Sequence, residues 1–306
     1  MKKHLVFYVA LILIGAAWGL TFPISKIVVS TGYQPLGILV WKCVGAAILT
    51  GGFTLLRHRS LVLPRRHFGL FLGVAMLGIL ISGYLSFTAV QYIPAGVLAI
   101  VIALVPLFSM PIALMLGFEK PSALRLSGLI FGAAAVFVLM APQASLPGQG
   151  KAIFILVAMG ATLAYGAEGN FVAWFRQDDL DPVQVLFGAS VVALVLAVPL
   201  ALANGQFIDP TAPWGAPQFG ILATSVLGTS AYAGYIWLIG RAGPVFAAQV
   251  SYLVAAFGVF WAMILLRETY SGLIWLALAL MLVGLFLVRP RGAGAAVGRG
   301  PTARQG

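Results

Sequence analysis

Along the chain, apolar runs of about 20 residues alternate with short polar breaks. The runs fall at about 5–29, 36–56, 68–91, 95–117, 123–142, 152–175, 183–203, 217–240, 244–266 and 271–288. Each is enough for about 30 Å of helix, the thickness of a bilayer's hydrocarbon core. The breaks carry charge and turn residues, as in STGYQP, RHRSLVLPRRH, FEKPSA, RQDDLDP and RETYS. This pattern predicts an all-α integral membrane protein with ten transmembrane helices. The N-terminal Lys2 and Lys3 before an apolar stretch imitate a signal peptide, but the stretch continues past Ala16 and Ala17 to about Val29. That is too long for such a segment, so it reads as a retained first helix.

Composition agrees. The 306 residues are 61% hydrophobic and 8% charged, with a mean hydropathy of +1.05. Soluble domains are about half apolar and about a quarter charged. The 36 glycines suit helices packed backbone to backbone in lipid. Cys43 is the single cysteine, which excludes an intrachain disulfide. The net charge of +11 reports orientation rather than nucleic-acid binding. Ten spans put both termini on one side, with Lys2, Lys3, Arg57, Arg59, Arg65, Arg66, Lys120, Arg125, Arg176, Arg241 and the four tail arginines. The other side has Lys151 and Arg267. Positive charge collects on the cytoplasmic side, so both termini are expected in the cytoplasm and the protein in the inner (plasma) membrane as a multi-pass chain. Residues 289–306, rich in Gly, Ala and Arg, read as a disordered basic tail.

The two halves share spacings. Gly19 of Trp18-Gly19 precedes Pro35 by sixteen residues, and Gly166 of Tyr165-Gly166 precedes Pro182 by sixteen. The stretches YIPAGVLAIVIALVPLFSMPIALMLGFEK and GRAGPVFAAQVSYLVAAFGVFWAMILLRET also match in pattern, pairing Glu119 with Glu268. The chain then divides into a first five-helix repeat, residues 1–142, and a second, residues 152–288. An odd number of spans makes the second copy enter from the opposite side, so the repeats are inverted. Such repeats bind substrate near the bilayer midplane and alternate access around it.

The stretches AAWGLTFPISK, QPLGILVWK, ALVPLF, LGFEK and LSGLIFGAAAVFVL resemble the EamA-type transporters of the drug/metabolite transporter superfamily. The resemblance covers residues 5 to 290 in both halves. It implies a ten-helix carrier of 5+5 design that exports amino acids, other metabolites or lipophilic cations. Ala255 stands where the first half has Pro106, and Ala189 where it has Lys42, so the halves are not equivalent.

Glu168 is the most informative residue. It lies about 24 Å from the outer end of the sixth span, and a charge that deep is costly unless paired, neutral or facing water. It reads as a cavity carboxylate for a substrate ammonium or a coupling proton, against a fixed structural hydrogen bond. Lys42, in the second span, would meet a substrate carboxylate or pair with Glu168, or snorkel outward on its long stem. Lys26, near the end of its span, reads as snorkelling to the interface. Polar residues on the third, eighth and ninth spans (Tyr84 with Ser82 and Ser86, Tyr232 and Tyr235, Gln249 with Ser251 and Tyr252) mark helices around an aqueous cavity. Trp18 and Tyr165 would line it with aromatic faces able to hold an ammonium. The expected substrate-binding set is therefore Trp18, Lys42, Tyr84, Tyr165, Glu168, Tyr235, Gln249 and Tyr252. Pro23, Pro106 and Pro111 are candidate hinges. Gly15/Gly19 and Gly128/Gly132 have spacings that allow close helix contact, and Glu119 and Glu268 read as structural anchors.

Other classes fit poorly. The aspartates lie in loops, the histidines at 4, 58 and 67 lie at a membrane boundary, and no H-E-x-x-H occurs, which argues against an enzyme and assigns no metal. One Glu and one Lys make no selectivity ring for a channel. A nucleotide sugar would call for several cationic side chains in the cavity. No Walker motif is present, and the residues call for no cofactor. The expected partners are a small-molecule substrate and membrane lipid, with no nucleic acid; oligomeric state is left open. Export of neutral or aromatic amino acids is the leading expectation, and lipophilic-cation efflux is second.

Overall fold

In this computed structural model, residues 2–62, 64–118, 122–140, 153–175, 180–211, 213–242, 247 and 249–287 are described. Among them the chain is helical, with no strand. The helices are α1 (Lys2–Ser30), α2 (Pro35–Leu56), α3 (Phe68–Val74), α4 (Ser82–Tyr92), α5 (Ala95–Ile102), α6 (Val105–Met115) and α7 (Ala123–Leu139). They are followed by α8 (Ile153–Phe175), α9 (Pro182–Ala203), α10 (Ala216–Ala242), α11 (Val250–Leu266) and α12 (Gly272–Leu287). Among the described residues, seven helical stretches are long and apolar enough to cross a membrane, and three shorter apolar ones lie in α7, α11 and α12. Glu119, Lys120, Arg176, Pro244 and the tail from 288 onward lie outside the described residues, as does the Glu119 side of the expected Glu119–Glu268 pairing.

Two rods are not simple α-helices. α3 and α4 are one continuous rod joined by a π-helical stretch, Ala75–Ile81. α5 and α6 are separated at Ala103–Leu104, just before Pro106, which has no N–H to return to the preceding turn. Of the three proline hinges expected, Pro106 sits at a break, whereas α1 runs on through Pro23 and α6 through Pro111.

Local chemistry sets several ends. Asp181 caps α9: its side chain accepts from the Val183 N–H at 3.0 Å, Gln184 returns the bond to the Asp181 N–H at 3.2 Å, and Pro182 takes the first helical position. The Lys26 ammonium donates to the carbonyls of Val90, Gln91 and Ile93 at 2.6, 3.1 and 3.2 Å. It therefore closes the end of α4 from α1 instead of snorkelling, because carbonyls left open at a helix end attract a cation. At the start of the next helix, the Glu268 carboxylate accepts from the Ala95 and Gly96 N–H groups at 2.8 and 3.2 Å and also from the Tyr270 hydroxyl. That anchors the start of α5 to the end of α11.

Small residues decide which helices meet. α1 packs on α10 and α11, α2 on α9, and α7 on α12. A methyl on Gly19 would lie 2.8 Å from the Gly258 nitrogen, and one on Gly284 would lie 2.8 Å from the Gly128 oxygen. Backbones this close gain dispersion contacts that lipid does not supply. The outer surface is apolar, with Leu56 79% and Phe137 83% exposed, as a lipid-facing belt requires.

Candidate functional site

Glu168 lies on α8, seven residues before its last residue. The opposite side of α8 is tied down. Gly166 lies against the Ser109 backbone of α6, and the Asn170 amide donates to the Ser109 carbonyl, the Ser109 hydroxyl and the Gly166 carbonyl at 3.0, 2.8 and 2.8 Å. The Thr162 hydroxyl donates to the Val101 carbonyl at 3.1 Å. These bonds fix the rotation of α8, so Tyr165 and Glu168 point the other way, toward the π-helical rod.

There the carboxyl rests on Gly78. A methyl at Gly78 would lie 2.6 Å from the Glu168 Cδ and 2.7 and 2.9 Å from its oxygens. Glu168 makes no ion pair or hydrogen bond among the described residues. It borders a cavity of about 160 Å³ whose walls include Val74, Val172, Leu180, Val185 and Tyr232. A carboxyl enclosed by protein, unpaired and beside open space is the arrangement expected of a group that meets a solute or a proton.

Aromatic hydroxyls surround it. Tyr165 and Tyr232 both lie within electrostatic reach of Glu168. The Tyr165 hydroxyl is turned toward the Ser82 and Ser86 hydroxyls of α4. The Oγ atoms of both serines are buried and without a hydrogen-bond partner among the described residues. Tyr235, one turn after Tyr232 on α10, meets Trp18 edge-on at 5.9 Å between ring centroids. The set Trp18, Tyr235, Tyr232, Glu168 and Tyr165 thus runs across α1, α10 and α8. Tyr232 and Gly78 were not among the substrate-binding residues expected. The three-residue spacing from Tyr235 was a usable signal for Tyr232, whereas nothing distinguished Gly78 among so many glycines.

The remaining expected residues stand apart. Lys42 does not pair with Glu168; its ammonium lies 4.9 Å from the centroid of the Phe87 ring, deep in the bundle. Tyr84 is on an exposed face of α4, 41% accessible. Gln249 precedes the first residue of α11, where its carbonyl accepts from the Tyr252 N–H at 3.2 Å, and Tyr252 packs against the main apolar core. No group of three or more His, Cys, Asp or Glu side chains among the described residues is placed to hold a metal.

Comparison with known proteins gives a family and a fold. The EamA-like transporter family matches the chain twice, over residues 6–141 and 152–289. The chain is 26% identical over 297 residues to the Uncharacterized inner membrane transporter YedA of Escherichia coli (strain K12), covering 94% of this chain and 92% of that one. The YedA protein of Escherichia coli O157:H7 shows the same identity and coverage. One solved crystal structure superposes with a TM-score of 0.62 at 20% identity, over 90% of this chain and 95% of that one, and so shares its fold.

Proposed function

Because the chain belongs to the EamA-like transporter family, and is therefore a multi-pass transporter of the plasma membrane, we propose that it carries a small organic solute bearing an ammonium group. Neutral or aromatic amino acids are the first class of solute, moved outward by alternating access. The observation that carries this reading is Glu168: unpaired, enclosed, seated on Gly78 and bordered by Tyr165 and Tyr232 at a cavity. A carboxylate and aromatic faces together select an organic cation by charge and by cation–π contact.

In this reading ten spans form two inverted repeats, 1–142 and 152–288, with both termini and the tail 289–306 in the cytoplasm. The two separate family matches support the division, and the skewed lysine and arginine distribution supports the orientation. Neither catalysis nor a cofactor enters the proposal.

A second reading, efflux of lipophilic cations, is favoured by one observation: Lys42 sits away from Glu168, so the carboxylate end is free of an opposing cation. Counterflow in proteoliposomes tests both. Vesicles loaded with unlabelled L-phenylalanine should accumulate the labelled form without an ion gradient, and Glu168→Gln should lower that rate at least about 10-fold. Exchange of quaternary ammonium compounds but not of amino acids would replace the first reading by the second. Full activity in Glu168→Gln would remove Glu168 from the site.

A further inference from the structure

The loop between α2 and α3, RHRSLVLPRRH over residues 57–67, holds four arginines and no acid. Its two arms, 57–62 and 64–67, are held in three places. α2 ends in a left-handed turn at His58 (φ 55°), where the His58 and Arg59 N–H groups return to the Leu55 and Thr54 carbonyls at 2.8 and 3.1 Å. The Gln184 amide of α9 donates to the Ser60 carbonyl at 3.0 Å. On the far arm the His67 N–H donates to the Pro64 carbonyl at 3.0 Å, closing a tight turn whose His67 side chain is buried.

The four guanidinium groups divide into two pairs. Arg57 lies 4.3 Å from the centroid of the Phe53 ring and pairs with Asp181 at 3.0 Å, and the Arg66 Nε donates to the His67 Nε2 at 3.0 Å. Arg59 and Arg65 are exposed, and neither guanidinium has a protein partner among the described residues. They are not needed as caps either, since the turn at His58 already satisfies carbonyls at the end of α2.

Apolar side chains frame these two cations. Leu56 at the end of α2, Val62 in the loop and Phe68 at the start of α3 are all exposed. Two stretches fit to cross a membrane, Pro35–Leu56 and Arg65–Tyr92, meet in this loop, so it lies where hydrocarbon gives way to water, at the level of lipid phosphates. Orienting a chain asks only for positive charge, which lysines on a loose loop supply equally well. A held loop whose unpartnered cations are both arginines suits a phosphodiester, because the planar guanidinium meets it with two parallel hydrogen bonds. We propose that Arg59 and Arg65 hold the phosphate headgroup of an anionic phospholipid, whose acyl chains lie along Leu56, Val62 and Phe68. The site is independent of the solute bound at Glu168 and of which membrane face the loop takes.

The test is fluorescence anisotropy of phosphatidylglycerol labelled on an acyl chain, titrated with the purified full chain in an uncharged detergent. A micelle has no inside and outside, so the part arginines play in orienting the chain drops out. Unlabelled phosphatidylglycerol should displace the probe, whereas phosphatidylcholine with the same acyl chains should need at least about 10-fold more. Arg59→Gln and Arg65→Gln should each weaken binding about 5-fold, and the double variant about 25-fold. Arg267→Gln removes the same charge just after α11 and should leave the affinity unchanged. Melting temperatures without lipid should match that of the unsubstituted chain, since both side chains are exposed; if the double variant does not purify, the phosphatidylcholine comparison decides. Displacement by phosphatidylcholine as readily as by phosphatidylglycerol, or full affinity in the double variant, would overturn the site. So would equal weakening in Arg267→Gln, which leaves only net charge, or displacement by inorganic phosphate at the same concentration, which leaves only a free-anion site.

Discussion

Gly78 has no side chain, and that absence gives the Glu168 carboxyl its seat. Adding one methyl there puts a carbon within 2.9 Å of three carboxyl atoms, so the acid must leave its position. Gly78→Ala is expected to lower transport at least about 10-fold with protein yield little changed, because it displaces the group proposed to meet the solute without opening a void. Gly52→Ala is the control. Nothing lies within 4 Å of a methyl at Gly52 on α2, so it should leave transport unchanged and raise helix stability by up to about 1 kcal/mol. Measuring counterflow and melting temperature on both variants separates a local displacement from a general glycine effect. At this scale Glu168 was legible because a carboxylate contrasts with an apolar run. Its seat was not, because a glycine among glycines carries no signal until the opposing helix is in place. Lys42 was legible as a cation within a span, but whether it stays buried or reaches Glu168 depends on how the helices pack.

The break before Pro106 and the anchor at the start of α5 define one unit at the level of elements, α5 with its junction to α6. Glu268 holds two N–H groups that would otherwise be unpaired at a helix start, and Tyr270 holds Glu268. Glu268→Gln should cost about 1–2 kcal/mol, read as a lower melting temperature in detergent. Burial first, then the Glu268 carboxyl, pushes the Tyr270 hydroxyl above its usual range. A group whose folded value is raised contributes stability in full below its unfolded value, and that contribution is lost as pH rises through the folded value. The difference in melting temperature between the unsubstituted chain and Tyr270→Phe should therefore be constant from pH 6 to 9 and shrink above about pH 10. Helix existence was readable from run length and composition. The π-helical stretch at Ala75–Ile81 was not, since no Pro or charge marks it, and neither was the cap that Lys26 places on α4, whose partners lie more than sixty residues away.

Across the whole molecule, the helices are apolar on nearly every side, so their patterns do not say which face turns inward. Backbone proximity chooses the partners instead: Gly19 against Gly258, Gly284 against Gly128, and Gly258 against Ala99. The proposed repeats and orientation rest on spacing and charge, which need no knowledge of packing. The proposed orientation has a direct consequence for the loops. Ser60 lies between α2 and α3 among arginines, and Thr211 lies between α9 and α10, where Asp209 is the only charged residue. Thr211 donates to Asp209 from both its N–H and its hydroxyl, holding that carboxyl below the ordinary range and keeping the loop anionic near neutral pH. A loop free of lysine and arginine crosses the membrane readily, whereas one with clustered arginines stays behind. In a Cys43→Ser background, Thr211→Cys should react with a membrane-impermeant maleimide on intact cells, and Ser60→Cys should react only after permeabilisation. Reaction of Ser60→Cys on intact cells, with Thr211→Cys protected, would reverse the orientation and place the Glu168 end of the cavity toward the outside.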